Sequence, residues 1–163
     1  MVASYGEGFG IARWHDAAAV IEAARHMGLA DITRWTTPET VQQFLGSDQW
    51  IALVAVESDP PEDLRTPHIL GCIIGGLEEE GRVWIELLAV SPSHRRRGIG
   101  RALITHLEGL VREMGYRALF VDLDDTNPDA YEFYRAVGFE DAGVIREYYY
   151  DATDAIVMSK RLL

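Results

Sequence analysis

The feature that most constrains this chain is the stretch from Val83 to Ala102, VWIELLAVSPSHRRRGIGRA. An apolar run with β-branched residues turns at Ser91-Pro92 and continues into a basic, glycine-punctuated segment. Beyond it Ile99, Ala102, Leu103, Leu107, Leu110, Val111 and Met114 recur at helical spacing. The sequence therefore predicts a strand, a turn and an amphipathic helix whose first turn carries Arg95, Arg96, Arg97, Gly98, Ile99 and Gly100. A helix N-terminus presents unpaired N–H groups and a partial positive charge. Missing side chains at Gly98 and Gly100 would let a phosphate approach those amides, and the flanking arginines would add charge-assisted hydrogen bonds. The segment reads as a pyrophosphate cradle.

Around this stretch the chain predicts a regular alternation of elements. Gly8–Trp14 reads as a short strand, and Asp16 caps a helix from Ala17 to about Met27 that Gly28 stops. Thr37-Pro38 opens a short helix ending near Gly46. Trp50–Glu57 is a strand by its apolar, β-branched content, and Ser58–Pro67 is an exposed loop. His68–Leu77 and Arg82–Val90 form a hairpin across the acidic turn Glu78-Glu79-Glu80-Gly81. The helix Gly98–Met114 follows, then a strand Ala118–Leu123, a short helix Asp129–Val137, and tail strands at about Glu140–Tyr148 and Ala155–Lys160. The order β-α-α-β-β-β-α-β-α-β-β predicts an α/β sandwich on a mixed sheet.

Other phosphate cradles fit less well. A Walker loop needs a terminal Gly-Lys-Ser/Thr, but Arg101 and Ala102 follow the second glycine. A dinucleotide fingerprint needs Gly or Ala where Leu103 sits. What matches is Arg95-x-x-Gly98-x-Gly100 after a strand ending Leu88-Ala89-Val90. A second motif, Asn127-x-x-Ala130-x-x-Phe133-Tyr134-x-x-x-Gly138-Phe139, follows in order. Together they resemble the GNAT superfamily of N-acetyltransferases. The resemblance covers Trp50 to the C-terminus by motif and the first fifty residues by element order. It implies a GNAT-type fold, with a mixed central sheet of about seven strands and helices on both faces, in a single domain spanning 1–163.

Composition narrows the partners. The 163 residues suffice for a substantial core, and 48% hydrophobic with 25% charged content is ordinary for a globular domain. The net charge of −11 argues against nucleic acid and agrees with an amine substrate, although solubility alone explains it equally well. No apolar run is long enough for a membrane span, and the N-terminus MVASYGEGFG lacks the signal-peptide pattern. The single Cys72 sits in an apolar run and reads as core, so a reducing, cytoplasmic location is expected. His94 adjoins the cradle and is expected to be exposed, while His15, His26, His68 and His106 lack metal-ligand spacing, so no metal is expected. Oligomeric state stays open between monomer and homodimer.

The resemblance implies acetyl transfer from acetyl-CoA to an amine, without a covalent enzyme intermediate. It assigns the pantetheine and thioester to backbone groups of Leu88, Ala89 and Val90, and the pyrophosphate to the segment of Arg95, Arg96, Arg97, Gly98, Ile99, Gly100 and Arg101. It assigns Asn127 to the pantetheine region, where a plain helix cap is the alternative. Tyr134 aligns with the tyrosine that protonates the departing thiolate, aromatic packing being its alternative. Two carboxylates compete as base. Glu86 lies two residues before Leu88, so strand alternation places them on one face, and a carboxylate inside an apolar strand needs work or a partner. Asp122 stands where ribosomal-protein-alanine N-acetyltransferases carry a glutamate. Glu86 is favoured narrowly, and both could bind the cationic amine. The tail Arg146-Glu147-Tyr148-Tyr149-Tyr150 with Asp154-Ala155 resembles the protein N-terminal acetyltransferase branch, in which such tyrosines line the peptide site. Surface packing is the alternative for Tyr148 and Tyr149. A protein or peptide N-terminus is the leading acceptor, with a small-molecule amine or a non-catalytic acyl-CoA sensor as rivals.

Overall fold

Apolar segments build one sheet: burial alternates along Ala118–Asp124 and runs unbroken through Ile51–Ala55 and Leu70–Gly76. The computed structural model describes residues 3–5, 8–13, 48–58 and 69–163. Its strands are β1 (Ala3–Tyr5), β2 (Phe9–Arg13), β3 (Trp50–Glu57), β4 (Ile69–Glu78), β5 (Arg82–Val90), β6 (Ala118–Asp124), β7 (Glu140–Ile145) and β8 (Ala155–Arg161). The described helices are α1 (Ile99–Glu113) and α2 (Pro128–Ala136). Among the described residues eight strands lie in the order β1-β2-β3-β4-β5-β6-β8-β7, one more than expected because β1 adds an edge. The expected helices Ala17–Met27 and Thr37–Gly46, most of the loop Ser58–Pro67, and His15, His26 and His68 lie outside the described residues.

All adjacent pairs are antiparallel except β5 and β6. That parallel pair is short: Arg82, Val83 and Trp84 face Ala118, Leu119 and Phe120, and the recorded pairing ends there. On its other side β6 stays paired with β8 from Ala118 to Asp124. The two strands thus diverge, and among the described residues no strand pairs with Ile85–Val90 on the β6 side.

One face of the sheet carries both described helices. Ile99, Leu103, Leu107 and Val111 of α1 share a buried cluster with Ile51, Leu53, Ile73, Val83, Ile85 and Leu119, and Tyr134 and Val137 join it from the second helix and its end. Full burial of each such aliphatic side chain contributes roughly 1.5–3 kcal/mol, so this face fixes where α1 begins. The approach is close at Gly71, where a Cβ would stand 2.8 Å from the Ala89 carbonyl oxygen and 3.1 Å from Ile99. Lys160 of β8 donates to Glu108 of α1 at 2.5 Å and to the Val137 carbonyl at 2.8 Å, tying three elements together. The opposite face holds Ala52, Val54, Cys72, Ile74 and Ala89. Burial pushes the Cys72 thiol up to about 12, in keeping with a core role.

A β-bulge changes one expectation. The β4–β5 register shifts between Ile74 and Gly75, which pair with Leu87 and Ile85, so Glu86 is an extra residue. Val83, Ile85, Leu88 and Val90 pack with the α1 cluster, whereas Leu87 and Ala89 belong to the opposite one. The Glu86 carboxylate reaches the opposite face too, with Oε1 3.4 Å from where a Gly76 Cβ would stand. Glu86 and Leu88 therefore do not share a face, because the bulge resets the alternation between them. The tail also differs: β7 ends at Ile145 rather than Tyr148, and β8 inserts between β6 and β7. Neither described helix is long and apolar enough to cross a membrane.

Candidate active site

The start of α1 is shaped by two left-handed backbone positions. Arg96 has φ +64° and Gly98, the residue preceding the helix, has φ +79°. A Cβ at Gly98 would meet nothing within 4 Å, so its backbone lies open. The first helical hydrogen bond runs from Ala102 N–H to the Gly98 carbonyl at 2.9 Å, and no side chain caps the end. The N–H groups of Ile99, Gly100 and Arg101 precede that bond and have no intrahelical acceptor. Arg95, Arg96, Arg97 and Arg101 are all exposed around them. Arg95 donates to the Val90 carbonyl at 3.3 Å, and Arg101 donates to the Ala136 carbonyl at 3.3 Å. His94 is half-buried rather than exposed, with Nδ1 3.0 Å from Ser93 Oγ and 3.3 Å from Ser91 Oγ.

Gly100 has a different use from the one its sequence suggested. A Cβ there would lie 3.1 and 3.3 Å from the ring of Phe133. Its missing side chain makes room for an α2 aromatic. Asn127 is the helix cap: its side chain accepts the Ala130 N–H at 3.1 Å.

The divergence of β5 and β6 leaves Glu86 and Asp122 on neighbouring strands. Loss of water raises the Glu86 carboxyl above its ordinary value, with the charges of Asp122 and Glu78 adding to the shift. Among the described residues Glu86 makes no hydrogen bond, whereas Oδ2 of Asp122 accepts the Tyr149 hydroxyl at 2.8 Å. The Tyr149 ring meets Tyr148 edge to face at 5.1 Å. Tyr148 is raised chiefly by the charge of Asp122, with lost water and the Glu86 charge adding to it. Glu86, Asp122, Tyr148 and Tyr149 thus form one acidic, tyrosine-edged neighbourhood.

Tyr134 is 5% exposed, held edge to face between Phe133 at 5.3 Å and Phe139 at 5.1 Å. Its packing role and its nearness to the Asp122 charge coexist. Burial, then the charge of Asp122, raises its phenol, which therefore stays protonated at neutral pH. Leu88, Ala89 and Val90 line the unpaired side of β5 with backbone, and Val90 already lends its carbonyl to Arg95.

Some of the neighbourhood went unread in the sequence. Trp50, Gly76 and Trp84 pair in one row across β3, β4 and β5, and Trp84 stacks on Phe120 at 5.4 Å. A Cβ at Gly76 would be 2.9 Å from the Trp50 ring, so this glycine makes room beside Glu86. The Gly75-Gly76 pair inside an apolar strand was the available signal.

Two carboxylates on diverging parallel strands, with an uncapped, arginine-rich helix start after the first of them, fit an acyl-CoA-dependent transferase. The chain belongs to the GNAT acetyltransferase family, whose model matches residues 29–139. It is 37% identical over 76 residues to the [ribosomal protein bS18]-alanine N-acetyltransferase of Escherichia coli strain K12, covering 44% of this chain and 51% of that protein. It is 38% identical over 63 residues to streptothricin acetyltransferase of Streptomyces lavendulae, covering 39% and 33%. The chain spans about half the length of the first of these relatives. Its fold matches the crystal structure of the ribosomal-protein-S18-alanine N-acetyltransferase from Escherichia coli with a TM-score of 0.74, at 21% identity over 94% of both chains. It also matches an aminoglycoside 6'-N-acetyltransferase complexed with coenzyme A, with a TM-score of 0.72 at 20% identity over 94% and 97%.

Proposed function

We propose that residues 1–163 form a single domain that moves an acetyl group from acetyl-CoA directly to a primary amine, in the first instance the N-terminal amine of a protein or peptide. One observation carries this: β5 and β6 separate after three paired residues, beside a helix start whose free N–H groups are ringed by Arg95, Arg96, Arg97 and Arg101. The open backbone at Gly98 fits a pyrophosphate, and the unpaired edge of Leu88–Val90 fits an amide-bearing arm.

The amine must be neutral to attack, and the departing thiolate must gain a proton. Glu86 takes the proton from the ammonium, directly or through water, since its carboxylate makes no hydrogen bond among the described residues and its raised value brings it closer to neutrality. The amine nitrogen bonds to the acetyl carbon, the carbon–sulfur bond breaks, Tyr134 supplies its phenolic proton to the sulfur, and the second proton shed by the acylated nitrogen returns through solvent to the tyrosinate. Asp122, engaged by Tyr149, orients the acceptor side and attracts its positive charge.

A peptide acceptor is supported by the ribosomal-protein relative and by the Tyr148–Tyr149 pair over the carboxylates. A small-molecule amine is the second reading, favoured by the streptothricin acetyltransferase relative. Release of CoA thiol from acetyl-CoA against peptide N-termini, polyamines and aminoglycosides tests both. Turnover on peptides alone supports the first reading, and turnover on small amines alone supports the second. Silence across the panel with acetyl-CoA still bound overturns both in favour of an acyl-CoA sensor.

A further inference from the structure

Among the three tyrosines of the tail, the middle one points inward. Tyr148 is 51% and Tyr150 88% exposed, while Tyr149 is half-buried with its hydroxyl on Asp122. Nothing in a run of three tyrosines selects the second. The selection comes from the turn that carries them, residues 146–154, which closes on Asp154.

Asp154 uses both carboxylate oxygens inside that turn. Oδ1 accepts the Glu147 N–H at 2.9 Å, and Oδ2 pairs with the Arg146 guanidinium. Glu147 sits at φ +49°, a left-handed position disfavoured for a residue with a Cβ, so a fixed acceptor on its amide is a direct means of holding it there. The next two amides, of Tyr148 and Tyr149, both donate to the Thr153 carbonyl at 3.0 and 3.2 Å. The Asp154 carbonyl accepts the Asp125 N–H at 3.2 Å, which anchors the turn to the segment just after β6, the strand that bears Asp122. The Glu147 amide and then the Arg146 guanidinium hold the Asp154 carboxyl below its usual range, so it is ionised throughout the neutral region.

We propose that Asp154 is a positioning residue for the acceptor side of the site: clasping Arg146 and the Glu147 amide, it seats the Tyr149 hydroxyl on Asp122 and leaves Glu86 as the uncommitted carboxylate. This rests on the acetyl-transfer reading for its consequence, but its structural content stands apart from it. Replacement of Asp154 changes how the acceptor is received and leaves the arginine-rich helix start as it is.

The experiment has two arms on the full chain. In the first, 3-fluorotyrosine-labelled protein is followed by 19F NMR, with the Tyr149 resonance identified by its loss in Tyr149→Phe. Asp154→Ala should move that resonance and leave that of Tyr134 in place. Asp154→Asn, which keeps an oxygen for the Glu147 amide, should move it less. In the second arm, Asp154→Ala should raise KM for the accepted amine about tenfold, with the Kd for acetyl-CoA held within about twofold. Tyr149→Phe should do the same, and the double variant should be no worse than either alone. Additive losses, or an unmoved Tyr149 resonance beside normal turnover, would overturn the clasp. A moved resonance with no turnover on any amine would instead sink the acetyl-transfer reading and keep the clasp. Should Asp154→Ala fail to fold, Asp154→Asn and Arg146→Gln carry both arms with the same expected directions.

Discussion

The Tyr149 hydroxyl donates to Oδ2 of Asp122 across 2.8 Å, so the two carboxylates of the diverging strands are not equivalent. One is engaged by a tyrosine from the tail; the other, Glu86, makes no hydrogen bond among the described residues and is raised by lost water and by its acidic neighbours. Glu86→Gln should therefore lower kcat by about a hundredfold, in the range of a lost general base, and by more than Asp122→Asn does. Steady-state kinetics on the accepted amine check this, and the reverse order would transfer the base role to Asp122.

The same asymmetry sets a pH dependence. A base must be ionised to act, and the Glu86 carboxyl lies above its ordinary value of 4.5. The acid limb of kcat/KM should consequently fall at a pH above 4.5 and should disappear in Glu86→Gln, leaving the amine's own ionisation. For stability the sign is opposite: a raised carboxyl favours the folded chain below the unfolded value, and that contribution is lost as pH rises through the folded one. Glu86→Gln should accordingly melt no lower than the parent at pH 7.

Tyr134 offers a separation of packing from chemistry. Its ring is fixed between Phe133 and Phe139, and only the hydroxyl is free for proton transfer. Tyr134→Phe should keep the melting temperature within a few degrees while lowering kcat about a hundredfold. An unchanged kcat would return Tyr134 to a packing role.

The arginines around the start of α1 are exposed, so reversing their charge should leave the fold intact. Arg96→Glu together with Arg97→Glu should weaken acetyl-CoA binding at least about tenfold by calorimetry, because each replaces a phosphate partner with a like charge. Unchanged affinity would place the pyrophosphate elsewhere.

Two glycines should respond to a methyl for different reasons. Gly98→Ala meets open space but must hold φ +79°, costing about 1–2 kcal/mol by chemical denaturation. Gly71→Ala keeps an ordinary backbone yet sets a Cβ 2.8 Å from the Ala89 carbonyl oxygen, and this crowding should cost about 1–3 kcal/mol. Gly71→Ala should also displace the start of α1, which Gly98→Ala should not.

By itself the sequence determined most of the described elements. Val83–Ala102 dictates strand, turn and helix because hydrophobic period, Ser-Pro turn and glycine punctuation are all local properties, and α1 and β5 fall where those signals put them. The family follows from two motifs in order. Tertiary structure decided the rest. Which face Glu86 occupies depends on a bulge set by pairing with β4, a partner more than ten residues away, so alternation counted along β5 alone misplaces it. Gly100 gains its reason only once α2 brings Phe133 over it. The insertion of β8 beside β6 carries the tail tyrosines to Asp122, and the Asp154 turn selects Tyr149 among three adjacent tyrosines. These are pairings and contacts that exist only once the chain has folded, and periodicity carries no record of them.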